Sequence, residues 1–421
     1  MITVASFASL EIIAVVAFAI PLLMDVLHIR MLPLVVVEIV AGIVIGPYGL
    51  HWVTSDAAVQ IFSSIGLAFL LFLAGIEVNI RKLRGPILKL AGSAYLLTIV
   101  LSFLAAIMLG ALRLVIDAPF IAVILTASAL GVVLPPLKAT GLTTSRFGQV
   151  VIMGASLGEF GAILLLSALF SSVSLSQPSR LLLLAGFVVA AVIVYTIVLH
   201  ADQSKSITAL LVRLQDSTAQ VRIRGAWVFL AAFVVLAQAL GQTAILGAFI
   251  AGMLIRVLDP DETTRHPEFR RNLDAVGYGV FIPVFFIATG VEFDLPALLT
   301  STRALTLVPV ILLLLLVAHG LPALLYRRIL SQRQTIAAGL FQATSLTFIL
   351  AATQIGLAQG FIRPSTSAAL IAAGMLSILI FPLVALTIVN RERSATLTAE
   401  GMPNEEASTG GQPQAPHAAA T

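Results

Sequence analysis

The chain is 421 residues long, 59% hydrophobic and only 10% charged, and its mean hydropathy is +1.07. A soluble domain carries about 25% charged residues, so this composition excludes a soluble globular protein. The absence of cysteine excludes disulfides, zinc thiolates and iron–sulfur clusters, and the net charge of +4 includes no basic run that would indicate nucleic acid.

Hydropathy divides the chain into about 13 apolar spans, most of them near the roughly 20 residues that a helix needs to cross a bilayer. The predicted limits are 8–27, 33–50, 57–79, 85–111, 118–138, 147–171, 180–200, 225–240, 243–257, 273–292, 303–326, 334–358 and 364–389. We read no cleaved signal peptide, because the first residues lack a basic segment. The sequence therefore predicts an all-α polytopic membrane domain over 1–390. The remaining residues, 391–421, are rich in small residues, Pro, Gly and Gln, and are expected to form a disordered tail.

Two acidic residues lie well inside predicted spans. Glu38 falls in span 2 and Glu159 in span 6. A charge at the bilayer centre costs about 3 kcal/mol on insertion scales, so such residues face protein or water rather than lipid. Glu159 is the stronger functional candidate, because small residues such as Gly154 and Gly158 surround it and allow a neighbouring helix to approach closely. For both acids the alternative is a protonated side chain that hydrogen-bonds another helix.

Other polar residues have simpler explanations. Glu77 precedes the basic residues of 81–84 and is expected to pair with them at a cytoplasmic helix end. The six histidines have no metal-ligand spacing, and each is predicted to be an interfacial or tail residue: His28, His51, His200, His266, His319 and His417.

Spans 5 and 12 are polar or broken near their middle. The residues responsible are Thr126, Ser128, Gly131 and Pro135-Pro136 in span 5, and Gln342, Thr344, Ser345 and Thr347 in span 12. An interrupted helix exposes backbone N–H and C=O groups that can coordinate an ion at the midplane. The alternative for each hydroxyl is a hydrogen bond to its own helix, which only bends it.

Basic residues alternate between the loops. Those after odd-numbered spans carry most of the Lys and Arg, whereas those after even-numbered spans hold only Arg113, Arg180, Arg303 and Arg363. The positive-inside rule then places the N-terminus outside and the C-terminus in the cytoplasm. Corresponding spans of the triplets 4–6 and 11–13 are an odd number of spans apart, so they cross the membrane in opposite directions. If the two triplets share a fold, they are inverted repeats, with core helices at about 85–171 and 303–389.

Five stretches together resemble the cation:proton antiporter-2 family, which includes the Kef-type and bacterial sodium/proton exchangers. They are GIVIGPYGL (42–50), LFLAGIEV (71–78), SALGVVLPPLKATG (128–141), ILGAFIAGML (245–254) and IPVFFIATGVEFDL (282–295). The resemblance extends over nearly all of 8–389 in the family's order. It implies about 13 helices in a dimerisation domain and a core domain, two crossing broken helices, and a homodimer.

The resemblance also implies a site. Family members bind the ion at an Asp on the helix after the first broken one, often preceded by Asp or Asn, and this pair aligns with Gly158-Glu159. Many relatives have Arg-Gly-Glu where this chain has Ala343-Thr344-Ser345. The chain therefore keeps one carboxylate and departs from the family at the neighbouring positions.

Residues and resemblance together predict a secondary antiporter that exchanges Na⁺ or K⁺ for protons in the inner membrane, one for one, without a cofactor. Glu159 would bind the cation and the proton competitively. Oxygens of Thr126, Ser128, Ser156 and Ser345 are the predicted supplementary ligands, since hard cations prefer oxygen, and Glu38, Gln342 and Thr344 are secondary candidates.

Two other functions remain open at this point. A sensor or scaffold that kept the fold and lost the exchange would explain the departures at Gly158 and Ala343-Thr344-Ser345. A cation channel would conduct without a counter-transported proton. An enzyme is disfavoured, because the sequence has no GxSxG, HExxH or P-loop pattern.

Overall fold

The computed structural model describes residues 7–28, 32–78, 85–170, 177–202, 221–258 and 267–399, and the regular structure of these residues is entirely helical. The helices are α1 (Ala8–Val26), α2 (Leu34–Ile45), α3 (Ala57–Glu77), α4 (Pro86–Ala111), α5 (Ala118–Leu125), α6 (Leu130–Ala139), α7 (Arg146–Leu169), α8 (Gln177–Asp202), α9 (Val221–Ala239), α10 (Ala244–Leu258), α11 (Pro267–Val276), α12 (Ile282–Val291), α13 (Leu295–Leu299), α14 (Thr302–Ala323), α15 (Gln332–Gln342), α16 (Thr347–Ala358) and α17 (Pro364–Ala399). A π-helical turn joins α11 to α12, and a 3₁₀ turn follows α14.

The membrane spans follow the hydropathy of the sequence. Among the described residues, 10 helices are long and apolar enough to cross a membrane, and three shorter apolar helices lie at 34–45, 182–196 and 244–257. Each predicted span coincides with one of these segments, and spans 5 and 12 each consist of two half helices. The protein is therefore an all-α, multi-pass membrane protein, as its composition predicts.

Side-chain caps set the starts of the helices that build the centre of the molecule. Asp117 accepts the Phe120 N–H at 2.8 Å at the start of α5, and Ser145 accepts the Gly148 N–H at 3.0 Å at the start of α7. Ser331 begins α15 in the same way. Each cap satisfies a helix N–H that has no partner within its own helix and is worth about 1 kcal/mol.

One group of helices packs through backbone contacts at glycine. α2 packs against α12, and α3 against both α10 and α12. A Cβ on Gly42 would lie 2.9 Å from the Cα of Gly290, and a Cβ on Gly290 would lie 2.8 Å from the Cα of Gly42. A Cβ on Gly75 of α3 would overlap the Phe249 carbonyl oxygen, and one on Gly252 of α10 would overlap that of Phe72. Small residues hold these helices together because dispersion contacts, rather than the hydrophobic effect, drive packing between helices in lipid.

The second group contains both broken helices. α4 packs against α5, α7 and α14, and α17 packs against α14, α15 and α16. In each triplet of spans an intact helix comes first, the broken helix second, and an intact helix last, as the sequence predicted. The second broken span, Gln332–Ala358, is the most buried of the 10 long spans. This arrangement places both interruptions inside protein rather than against lipid.

Two sequence predictions fall partly outside the described residues. The basic residues expected to pair with Glu77 lie in 79–84, and most of the predicted tail lies in 400–421. The first part of that tail, up to Ala399, continues α17 as helix.

Candidate functional site

The two broken helices cross at their interruptions. The first break, 126–129, separates α5 from α6, and the second, 343–346, separates α15 from α16. The Ala129 N–H donates to the Thr344 carbonyl at 2.9 Å, so a backbone hydrogen bond joins the two breaks. Every side chain of both breaks is buried. The crossing that the family resemblance implied is therefore present, and it brings free backbone polar groups together at the centre of the bundle.

Glu159 of α7 reaches this crossing. Its carboxylate is 1% exposed, and Oε2 accepts the Leu130 N–H at 3.1 Å. Leu130 is the first residue of α6, where the backbone N–H groups lack helical partners and carry a partial positive charge. Among the described residues no Lys or Arg forms an ion pair with Glu159. The half helix therefore supplies what a basic side chain would otherwise supply to the ionised carboxylate.

Gly158 allows α7 to lie directly on the first break. A Cβ at this position would lie 2.8 Å from the Ser128 Cβ and 3.2 Å from the Ser128 backbone nitrogen. Any side chain there, including the Asp or Asn that the family resemblance leads one to expect, would displace the break. The departure at this position has a steric reason, because backbone and side chain of Ser128 occupy the space.

Three hydroxyl groups around the crossing have no hydrogen-bond partner among the described residues. Ser128 Oγ and Ser345 Oγ are buried and unpaired, one in each break. The Thr347 hydroxyl, on the first residue of α16, faces the Glu159 carboxylate but lies outside hydrogen-bonding geometry. Buried polar groups without partners are costly, and in a membrane no water replaces the missing bonds. These oxygens and the carboxylate form the kind of ligand set that a hard monovalent cation prefers.

A second intact helix holds the second break. Ser377 of α17 accepts the Ser345 N–H at 3.1 Å and donates to the Gly374 carbonyl at 2.7 Å. The last helix of each triplet thus accepts a backbone N–H at the break beside it or directly after it: Glu159 accepts that of Leu130, and Ser377 accepts that of Ser345. Sequence reasoning missed Ser377, because one serine in a long apolar span looks like any other.

The other predicted ligands have different positions. The Thr126 hydroxyl donates to the Val123 carbonyl at 2.7 Å, and the Thr344 hydroxyl donates to the Leu340 carbonyl at 3.3 Å. Both hydroxyls thus donate to their own helix, as the alternative stated for them predicts, and their lone pairs stay available to a ligand. Ser156 is buried on α7, three residues before Glu159.

The two remaining secondary candidates lie outside the crossing. The Tyr326 hydroxyl is 3.2 Å from Oε1 and 3.1 Å from Nε2 of Gln342, whose side chain packs against Gly154 of α7. Glu38 is buried on α2, which packs against α12 and α1 rather than against the broken helices. The structure therefore does not bring Glu38 and Glu159 together through their helices.

Glu77 lies closer to the crossing than the sequence indicated. It forms an ion pair with Arg270 of α11 at 3.8 Å, a partner that sequence reasoning did not identify. Its Oε2 also lies 3.6 Å from the position that a Cβ of Gly131 would occupy, in the first turn of α6. A second carboxylate is therefore placed near the half helix that binds Glu159.

The prediction for His319 is wrong. Its side chain is 3% exposed within α14, and Nε2 lies 3.1 Å from the carbonyl oxygen of Leu125, the last residue of α5. The apolar sequence on both sides of His319 contains no periodicity that would show which face of α14 turns inward.

Comparisons with known proteins agree with this architecture. The family model described as "Sodium/hydrogen exchanger, transmembrane" matches residues 13–390. The chain is 29% identical over 409 residues to the putative Na(+)/H(+) antiporter YjbQ of Bacillus subtilis, a match that covers 92% of this chain and 64% of that protein. It is 26% identical over 380 residues to the probable Na(+)/H(+) antiporter 3 of Methanocaldococcus jannaschii, covering 89% of this chain and 94% of that protein.

A third relative and one solved structure also match this chain. The Na(+)/H(+)-K(+) antiporter GerN of Bacillus cereus is 23% identical over 361 residues, covering 83% of this chain and 88% of GerN. The structure of the sodium proton antiporter MjNhaP1 from Methanocaldococcus jannaschii at pH 8 matches with a TM-score of 0.63 at 17% identity, covering 90% of this chain and 97% of that one. This likeness is one of fold.

Proposed function

Because the chain belongs to the sodium/hydrogen exchanger family, we propose that it is a secondary antiporter that exchanges a monovalent cation for protons across the membrane. The observation that carries this proposal is the position of Glu159, a buried carboxylate at the crossing of two broken helices and beside unpaired hydroxyls of both breaks. Families of this kind bind substrate at the midplane between repeats, where half-helix ends and unwound carbonyls replace the hydration shell.

The proposed cycle uses Glu159 in two states. When the carboxylate is ionised, it binds the cation together with Ser128, Ser345 and backbone carbonyls of the breaks. When it is protonated, its charge is neutralised and the cation leaves. The two ligands therefore compete for one group, and one cation moves in one direction for each proton that moves in the other.

The names of the relatives favour sodium as the first cation to test. YjbQ and the archaeal relative are described as Na(+)/H(+) antiporters, while GerN is described as an Na(+)/H(+)-K(+) antiporter. The proposal for this chain is exchange of Na⁺, with K⁺ as the second candidate. Further parts of it are a homodimer in the cell (inner) membrane, the N-terminus outside, and alternating access through movement of the helices within about 85–171 and 303–389.

The test is cation-dependent proton movement in proteoliposomes that contain the purified protein and a pH-sensitive dye. We expect a pH change on addition of Na⁺, or of K⁺, but not of choline. The variant Glu159→Gln keeps the size of the side chain and removes its charge, so it should abolish the signal. Glu38→Gln is the matched control, because Glu38 is another buried membrane acid that lies outside the crossing.

Three outcomes would each contradict a part of this proposal. Retained exchange in Glu159→Gln would show that another group carries the ion. Complete absence of exchange with any cation in the wild type would favour the sensor or scaffold, which the missing side chain at Gly158 supports. Cation flux without proton movement would instead indicate a channel.

A further inference from the structure

His319 lies where α5 ends and the first break begins. It comes from α14, 194 residues away in the sequence, and its Nε2 lies 3.1 Å from the Leu125 carbonyl oxygen. Because a carbonyl can only accept, the ring nitrogen must donate its hydrogen. The backbone of Ala127, inside the break, also faces the ring. The side chain therefore contacts both the end of the half helix and the unwound segment.

The backbone hydrogen bonds at this end show why a side-chain donor is needed. The Val123 carbonyl accepts from the Thr126 N–H at 3.1 Å, and the Ile124 carbonyl accepts from the Ala127 N–H at 3.3 Å. In a continuous helix the Leu125 carbonyl would accept from the N–H of Ala129. That N–H donates to Thr344 instead, at 2.9 Å, because it forms the bond between the two breaks.

We propose that His319 is a positioning residue of the cation site: it replaces the Ala129 N–H as the donor to Leu125 and thereby fixes where the chain leaves α5. This inference rests on the proposed function, since the segment it fixes contains Ser128 and lies against Gly158 and Glu159. With Leu125 held, the crossing bond from Ala129 to Thr344 forms without leaving a carbonyl unpaired inside the membrane.

The proposal also defines which oxygens are available to the cation. His319 occupies the carbonyl of Leu125, and backbone donors occupy those of Val123 and Ile124. We therefore expect ligands from the first broken helix to come from the unwound residues, among them the Ser128 hydroxyl. Without the imidazole, the Leu125 carbonyl would compete for the Ala129 N–H, and the break would shift toward a continuous helix.

Two substitutions separate donation of a hydrogen bond from simple packing. His319→Gln retains a side-chain N–H donor of similar reach, whereas His319→Leu fills the space without one. Leu321→Ala is the control on the same helix, because this leucine is 50% exposed, whereas His319 is buried. In proteoliposomes we expect His319→Leu to raise the apparent KM for Na⁺ at least tenfold, with a smaller effect on Vmax. His319→Gln should remain within about threefold of the wild type, and Leu321→Ala should match it. A tenfold change corresponds to about 1.4 kcal/mol, which is within the range for a buried polar group left unpaired.

A second measurement does not depend on transport. Hydrogen–deuterium exchange of the peptide that contains residues 123–130 should be faster in His319→Leu than in the wild type, and close to wild type in His319→Gln. Unchanged exchange in His319→Leu would overturn the proposal even if antiport is established. An unchanged KM in that variant, or a Gln variant as impaired as the Leu variant, would also overturn it. If the wild type transports nothing, the proposed function fails, while the exchange rates still decide whether His319 positions the break.

Discussion

Adding one methyl group at Gly158 tests whether the close contact between α7 and the first break is needed for binding. In Gly158→Ala the new Cβ would lie 2.8 Å from the Ser128 Cβ, whereas two carbon atoms in favourable contact are about 3.5–4.0 Å apart. Ser128 must therefore move by roughly 1 Å. It is not the flexible end of a long side chain, so the backbone of the break has to move with it.

That movement reaches the proposed ligands directly. Leu130, two residues after Ser128, donates to Glu159 at 3.1 Å, and Ala129 donates to Thr344 at 2.9 Å. Overpacking of this kind costs about 1–3 kcal/mol. Expressed as a change in affinity, that range corresponds to roughly 5- to 150-fold. We therefore expect the apparent KM for Na⁺ of Gly158→Ala to rise by such a factor in proteoliposomes.

A matched glycine provides the control. Gly92 of α4 has no heavy atom within 4 Å of its would-be Cβ, so Gly92→Ala should transport like the wild type and be no less stable. Gly158→Asp, which introduces the acid that the family resemblance leads one to expect, should be more impaired than Gly158→Ala because it is larger. If Gly158→Ala binds Na⁺ as well as the wild type, or if Gly158→Asp binds it better, the steric account of this position is incorrect.

Three further predictions follow from the same site. If Na⁺ and protons compete for Glu159, a fall in pH protonates the carboxylate and raises the apparent KM for Na⁺, by at most about tenfold per pH unit. A KM for Na⁺ that is independent of pH between 6 and 9 would contradict competition. One-for-one exchange moves no net charge, so adding valinomycin to Na⁺-containing vesicles with a fixed K⁺ gradient, which imposes a membrane potential, should not change the rate of proton movement. A strong increase on addition of valinomycin would refute this stoichiometry. Ser128→Ala and Ser345→Ala each remove an unpaired oxygen and should each raise the KM for Na⁺ several-fold with little loss of thermal stability. A lower melting temperature with an unchanged KM would show that these hydroxyls stabilise the fold rather than bind the cation.

The sequence predicted the helices well because hydropathy determines where a chain can cross a bilayer. It also identified the two interrupted spans, although Pro135 and Pro136 do not form the interruption: both lie inside α6, and the break precedes them at 126–129. The break is stabilised instead by partners from elsewhere, Glu159 and Thr344. The local sequence indicated an irregular helix, but the exact position of the break depends on contacts between distant segments.

Contacts between distant segments also explain why sequence reasoning misplaced His319 and missed Ser377. His319 and Ser377 lie in spans that are apolar on all sides, so no periodicity shows which side chains face the breaks. Glu77 comes at the end of its helix, and the basic residues predicted to pair with it lie outside the described residues; Arg270 of α11 is a further partner that no local pattern indicates. Each of these contacts joins residues far apart in the sequence, which only the packing of the helices brings together.

The crossing balances its charges mainly with the backbone. The ionised Glu159 lies at the N-terminal end of α6, where unpaired N–H groups provide partial positive charge, and His319 donates to the C-terminal end of α5, where the carbonyls provide partial negative charge. Because these helix charges are partial, fixed and not titratable, they stabilise the carboxylate without neutralising it. A full positive charge on a fixed Lys or Arg would compete with the transported cation for Glu159. In this chain Glu159 can therefore bind a cation and a proton in turn. No other group has to change its protonation state during the proposed cycle.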